Sequence, residues 1–158
     1  MKDLFLIRHA EAAQASSRNQ DFDRMLTSEG MREAKMLGVY ISEQNIKPQF
    51  MLASAAPRAL ETARLILSCL DNSCELIEQE DLYEASPRIL LKAINEIAES
   101  KAAVALVGHN PTISYLAEYL TQEEVGQLPT AGMVHIRLEN MLWAEVSQAT
   151  GRLIQIHP

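Results

Sequence analysis

Two histidines and two arginines stand where apolar runs stop. Leu4-Phe5-Leu6-Ile7 ends in Arg8-His9-Ala10, Phe50-Met51-Leu52-Ala53 runs into Ser54 and then Arg58, and Val104-Ala105-Leu106-Val107 ends in Gly108-His109-Asn110. Short apolar runs of this kind read as buried strands, and ligands of open α/β sheets bind beyond the carboxyl ends of the strands. Three such strands would gather Arg8, His9, Arg58 and His109 on one sheet edge, a pocket suited to a phosphoryl group.

A phosphoryl group in transfer spreads negative charge over its equatorial oxygens, so catalysis is mostly positioning plus fixed positive charge. Arginine supplies a planar fork of donors that keeps its charge. Arg8 and Arg58 are expected at adjacent strand ends, clamping the group from two sides, with backbone N–H groups at the helix starts near Arg58 and Thr112 adding to the clamp. His9 is the candidate nucleophile, since a neutral imidazole can attack phosphorus and become phosphohistidine. Neighbouring cations would lower its pKa, and a hydrogen bond from its other ring nitrogen to a carbonyl would fix the tautomer. His109 is expected to bind phosphoryl oxygens as an imidazolium. Metal binding is the rival account of the two histidines. The adjacent arginines would repel a divalent cation and no carboxylate ends a matching strand, so no metal and no cofactor are expected.

Several other polar residues have competing readings. Ser54 could touch phosphate or serve the turn that enters a helix. Asn110 reads as a helix cap rather than a ligand, and Glu11 as exposed. Arg18 and Arg24 lie in the polar stretch from Gln14 to Asp23, a long loop near the site, where each reads as structural or solvated, or else meets incoming substrate. His135 and His157 carry no role. Cys69 and Cys74 read as buried or half-buried free thiols.

Strand-like and helix-like segments alternate, which implies a mostly parallel sheet covered by helices. A helix starts near Thr27-Ser28 with Met31, Ala34, Leu37, Gly38 and Ile41 on one face. Pro57 opens a second helix with an apolar stripe from Ala59 to Leu70. Cys74–Ile77 is a short strand after a turn at 71–73, and Leu82–Ser86 a loop. Pro87 opens a third helix with Leu90, Leu91, Ile94, Ile97 and Ala98 inward. Asn110-Pro111 reads as N-cap and N1 of a fourth, with Ile113, Leu116, Ala117 and Leu120 inward. Val134, Ile136 and Leu138 alternate with polar residues as a half-buried strand, and 142–146 and 153–156 read as further short strands. Residues 1–158 are expected to form one domain.

The net charge of −7, without a basic stripe, argues against nucleic acid as a partner. No segment reaches the roughly 20 apolar residues of a membrane span. The four apolar residues before Arg8 are too few for a secretory h-region, so no membrane association and a cytoplasmic location are expected.

Arg8-His9-Ala10 after a first strand, Ser54-x-x-x-Arg58-Ala59-x-x-Thr62-Ala63 and Gly108-His109-Asn110 together resemble the histidine phosphatase superfamily, which also holds the cofactor-dependent phosphoglycerate mutases. Asp21-x-Asp23-Arg24-x-Leu26-Thr27-x-x-Gly30, Leu82-Tyr83-x-Ala85-Ser86 and Leu128-Pro129-Thr130-Ala131-Gly132 resemble the SixA-type phosphohistidine phosphatases, as does Ala10 in place of the more common Gly. The resemblance spans residues 4 to about 138. It implies a phosphoglycerate mutase-like three-layer α/β/α sandwich with a central, mostly parallel sheet. His9 would match the phosphorylated nucleophile, and Arg8, Arg58 and His109 the remaining phosphate-pocket members. Mutases of the superfamily carry a long insertion between the second and third blocks, whereas only 50 residues separate Arg58 from His109 here. Many superfamily phosphatases place a general-acid Glu in the loop after the third strand, where Glu84 stands. SixA-like members often lack it, and a protonated imidazole leaves phosphorus as a neutral molecule needing less help.

The expected function is a metal-independent phosphatase acting through a phosphohistidine on His9. The expected substrate is a phosphohistidine on a protein such as a phosphorelay or phosphotransfer domain. The alternatives are a phosphatase of a small phosphomonoester, and a non-catalytic module that recognises phosphorylated partners.

Overall fold

The computed structural model describes residues 1–16, 20–71 and 73–158. Six strands form one sheet: β1 (Lys2–Arg8), β2 (Phe50–Ser54), β3 (Glu75–Gln79), β4 (Ala103–Gly108), β5 (Met133–Leu138) and β6 (Arg152–His157). Four helices cover it: α1 (Ser28–Glu43), α2 (Pro57–Leu67), α3 (Pro87–Asn95) and α4 (Thr112–Thr121). The strand order is β3-β2-β4-β1-β5-β6. The first four strands in that order pair in parallel, while β5 runs antiparallel to both β1 and β6. The sheet is therefore mostly parallel, with helices on both faces, as the alternating sequence pattern implies.

Period two explains why β1, β2 and β4 read as unbroken apolar runs. Leu4, Leu6, Leu52, Val104 and Leu106 point into one core with Leu90, Ile94, Ile113 and Leu116 of α3 and α4. Their neighbours Phe5, Ile7, Met51, Ala53, Ala105 and Val107 point into a second core with Leu37, Ile41, Ala63 and Ile66 of α1 and α2. A strand buried on both faces has no polar side to show. β5 keeps its alternation, with His135 and Arg137 half-buried between buried Val134, Ile136 and Leu138.

The structure corrects several readings. β4 lies between β1 and β2, so Arg8 and Arg58 do not come from adjacent strand ends. Residues 142–146 are not a strand. A 3-10 turn at Trp143–Glu145 sinks the indole into the core, where Trp143 Nε1 donates to the Lys101 carbonyl at 2.8 Å. Met31 faces out of α1, and Gly30 takes the inward position instead. A Cβ on Gly30 would lie 2.0 Å from the Glu11 carbonyl oxygen, so only glycine lets α1 seat against the chain leaving β1. Asn110 is not the cap of α4, for Pro111 holds that position. The expected cap at Thr27 is present, its hydroxyl accepting from Gly30 N–H at 2.9 Å. Of the 71–73 turn, Asn72 lies outside the described residues. Cys69 and Cys74 are free and half-buried. No helix among the described residues is long and apolar enough to cross a membrane.

Candidate active site

Strand register brings the two histidines together. Arg8 pairs with Gly108 across β1 and β4, so the next residues, His9 and His109, leave the sheet side by side. Their ring centroids are 5.2 Å apart, tilted by 60°. Arg58 arrives from the first turn of α2, directly after β2. All four expected residues line one cavity of about 410 Å³, together with Asp21, Arg24, Tyr83, Glu84, Asn110 and Thr112 among others.

His9 is 8 % exposed. Its Nδ1 lies 2.7 Å from the Ala10 carbonyl, which can only accept, so Nδ1 carries the proton and Nε2 keeps its lone pair. Burial first, and then Arg58, Arg8 and Arg24, push its pKa down to about 4 against that hydrogen bond. The imidazole is therefore neutral at pH 7. The expected carbonyl partner and lowered pKa are both present, with burial rather than charge as the larger cause.

His109 differs from expectation. Burial, followed by His9 and Arg58, lowers its pKa to about 3, so in the free protein it is a neutral imidazole and not an imidazolium. Its Nε2 sits 2.8 Å from Ser54 Oγ. Ser54 is fully buried, and its hydroxyl also accepts from the Ala56 N–H at 3.2 Å. It thus serves the turn into α2 and orients His109.

The arginines are held from outside. Arg8 Nη1 donates to the Leu128 carbonyl at 2.9 Å, and Asn110 Nδ2 donates to the same oxygen at 2.9 Å. Asn110 Oδ1 accepts from Ser114 Oγ. The segment 128–132 is thus a cradle for β1, with Arg8 N–H donating to Gly132 and Ala131 N–H donating to the His9 carbonyl. Arg58, 4 % exposed, donates from Nη1 to the Asp21 carbonyl at 2.7 Å and from Nη2 to Asp21 Oδ2 at 3.2 Å. One turn later the Thr62 hydroxyl donates to the Arg58 carbonyl at 2.7 Å and accepts from Ala10 N–H at 3.0 Å. The Arg58-x-x-x-Thr62 spacing therefore ties α2 to the residue after His9.

Among the described residues, three buried side-chain nitrogens have no hydrogen-bond partner: Arg8 Nε, Arg58 Nε and His109 Nδ1. Buried polar groups are almost always paired, and leaving one unpaired costs about 1–3 kcal/mol. All three belong to residues lining this cavity.

Glu84 is exposed and lines the cavity, with φ at +53°. Arg24 lines it too, donating from Nε to the Ala13 carbonyl at 2.7 Å and from Nη1 to Asp21 Oδ1 at 3.1 Å. Arg18 lies outside the described residues. Glu11 is exposed, as expected. Thr112 lines the cavity and donates to the Ala85 carbonyl, tying α4 to the Glu84 loop. Asp21 and Tyr83 had no assigned part in the sequence reading. Both line the cavity, and Tyr83 OH donates to Asp21 Oδ2 at 2.6 Å. Their only signal was membership of the 21–30 and 82–86 blocks.

Residues 4–88 match the model of the histidine phosphatase superfamily, branch 1. The chain belongs to the histidine phosphatase superfamily. An uncharacterized protein of Mycobacterium tuberculosis is 29 % identical to it over 96 % of this chain and 98 % of the other. A crystal structure of a candidate phosphohistidine phosphatase SixA from Agrobacterium tumefaciens superposes with a TM-score of 0.86 at 26 % identity, covering 99 % of this chain and 97 % of that one. The protein histidine phosphatase SixA complexed with tungstate shares the fold, with a TM-score of 0.84 at 20 % identity over 98 % and 96 %. Within the superfamily the likeness is of the SixA type, and phosphatase chemistry on a phosphorylated substrate is what the site must explain.

Proposed function

We propose that the protein is a metal-independent phosphatase that works through a phosphohistidine on His9, with phosphohistidine on a protein as its preferred substrate. One observation carries the reading: three buried nitrogens without a partner among the described residues belong to Arg8, Arg58 and His109, which line the same cavity as an imidazole with a free Nε2. A tetrahedral oxyanion would satisfy all three. The tungstate complex of SixA, a structure of the same fold, holds an anion of that shape.

The chemistry follows from the geometry. His9 Nε2 attacks phosphorus with its lone pair, and the bond from phosphorus to the leaving nitrogen or oxygen breaks as the Nε2–P bond forms. The ring gains positive charge, which the Ala10 carbonyl stabilises through Nδ1–H. The two guanidiniums meet the charge on the equatorial oxygens. With the Ser54 hydroxyl accepting from Ala56 N–H and donating to His109 Nε2, a neutral His109 carries its proton on Nδ1, the nitrogen left to donate to a phosphoryl oxygen. Water then attacks phosphorus, the Nε2–P bond breaks, and the water's protons pass to the inorganic phosphate and the medium. Phosphoimidazole suits this site because its leaving group departs neutral once protonated.

The test pairs wild type with His9→Ala, offered a phosphohistidine-bearing phosphotransfer domain and a panel of phosphate esters. Trapped phosphate that is acid-labile and alkali-stable, on wild type only, is the expected result. Full turnover by His9→Ala would remove the nucleophile, and faster esters than phosphoimidazole would remove the substrate class. Glu84 on the cavity wall favours a second reading, a small phosphomonoester whose alkoxide it would protonate. In that case Glu84→Gln slows esters while sparing phosphoimidazole.

A further inference from the structure

Asp21 accepts hydrogen bonds from two of the pocket's arginines, Arg24 and Arg58. Its Oδ2 accepts from Arg58 Nη2 and Tyr83 OH, its Oδ1 from Arg24 Nη1, and its backbone carbonyl from Arg58 Nη1. The Arg58 guanidinium also lies 5.8 Å from the centre of the Tyr83 ring, and Phe22 packs edge-on against that ring at 5.0 Å.

A carboxylate among phosphate-binding cations could compete with substrate or could aim the cations. The edges of the guanidinium decide between these. Nη1 and Nη2 form the end of the fork, and both point at Asp21. Nε belongs to the side edge, the other bidentate face, and it is buried without a partner. Asp21 therefore occupies the edge that a phosphoryl group does not need. We propose that Asp21 is a positioning residue, which Tyr83 and Arg24 steady so that it holds the outer edge of Arg58 and presents the Nε edge to the phosphoryl group.

The inference rests on Arg58 being a phosphoryl ligand. It excludes Asp21 as general acid, since the hydrogen bond from Tyr83, with those from Arg24 and Arg58, holds its carboxyl down at about 2. An arginine with one edge fixed has its plane fixed, and misplacement of a transition-state donor lowers the rate more than it lowers affinity for a ground-state anion.

The experiment measures kcat with an aryl phosphate and a phosphohistidine domain, tungstate affinity by calorimetry, and Tm. The variants are Asp21→Asn, Tyr83→Phe, Arg58→Ala and the Asp21→Asn/Arg58→Ala double. Asp21→Asn is expected to lower kcat about tenfold while tungstate affinity stays within about threefold, the lost order being offset by one added net positive charge. Tyr83→Phe, which frees the same carboxylate without changing charge, should lower kcat about threefold. On the Arg58→Ala background, Asp21→Asn should cost less than about twofold, because it acts through Arg58. Wild-type or raised kcat in Asp21→Asn would make Asp21 a competitor and overturn the proposal. So would equal losses of kcat and tungstate binding with a lowered Tm, or additive losses in the double variant. Undiminished kcat in Arg58→Ala alone would instead overturn the reading of the site beneath it.

Discussion

Two clusters of Asp, His and Arg sit at opposite ends of β1, and they differ in what they leave undone. At its start, Asp3 Oδ1 accepts from His135 Nε2 at 2.7 Å and from Arg137 Nε at 2.9 Å, and the His135 ring stacks on Phe5 with centroids 4.4 Å apart. At its end, Asp21 holds Arg58 and Arg24 beside His9 and His109. The first cluster pairs the cation's Nε with a carboxylate. The second leaves two Nε atoms and one imidazole nitrogen buried and, among the described residues, unpaired. Residue types alone do not separate a strut from a site. The separating feature is buried donor capacity left for something outside the chain.

The largest expected contrast is His9→Ala against His135→Ala. The first should lower kcat by on the order of 10³-fold or more. The second should leave kcat within about twofold and lower only Tm. Wild-type turnover in His9→Ala, read by phosphate release, would erase the distinction. Next come the arginines. Arg8→Ala should lower kcat by about 10²-fold, as loss of a transition-state donor does, whereas Arg137→Ala should cost about 1 kcal/mol of stability in denaturant melts and no activity.

The pH dependence sharpens the contrast further. His9 and His109 are lowered to about 4 and about 3, so the unfolded chain binds protons that the folded one refuses. Stability is full above pH 6.5 and falls as pH drops from 6.5 toward 4, by about 1.4 kcal/mol per pH unit for each group. If saturating tungstate pairs His109 as proposed, the fall measured by Tm should be shallower. kcat/KM should decline on the acid side near pH 4 as the His9 nucleophile protonates. An imidazole proton resonance for His9 titrating near 6.5 in the free protein would contradict this. Among these site variants the smallest loss of kcat is expected for Thr62→Val, which strands the Ala10 N–H and should cost about 1–3 kcal/mol with a several-fold loss of kcat. Unchanged stability there would mean the tie between α2 and β1 is dispensable.

Much of this was legible in the chain because the parallel strands bury both faces, so they end abruptly where polar residues begin. The positions of Arg8, His9 and His109 follow from that alone. Strand order does not, since nothing local says that β4 inserts between β1 and β2. Trp143 misled because an apolar cluster reads alike in a strand and in a 3-10 turn that buries one large ring. The neutral state of His109 in the free protein is not legible in the chain, because desolvation, its largest cause, depends on how the fold packs around the ring. Asp21 lies in a polar stretch with no periodicity, and its part is visible only where Arg58 and Tyr83 meet it.

Placing β3 at the margin of the sheet separates two jobs in space. The chain from β3 back to β4 carries Tyr83 and Glu84 on the cavity wall, while Arg8, His9 and His109 stand at the ends of β1 and β4 mid-sheet and Arg58 opens α2 behind β2. Selectivity is therefore best retuned at Glu84, on the exposed outer border, with Tyr83 kept because its hydroxyl steadies Asp21.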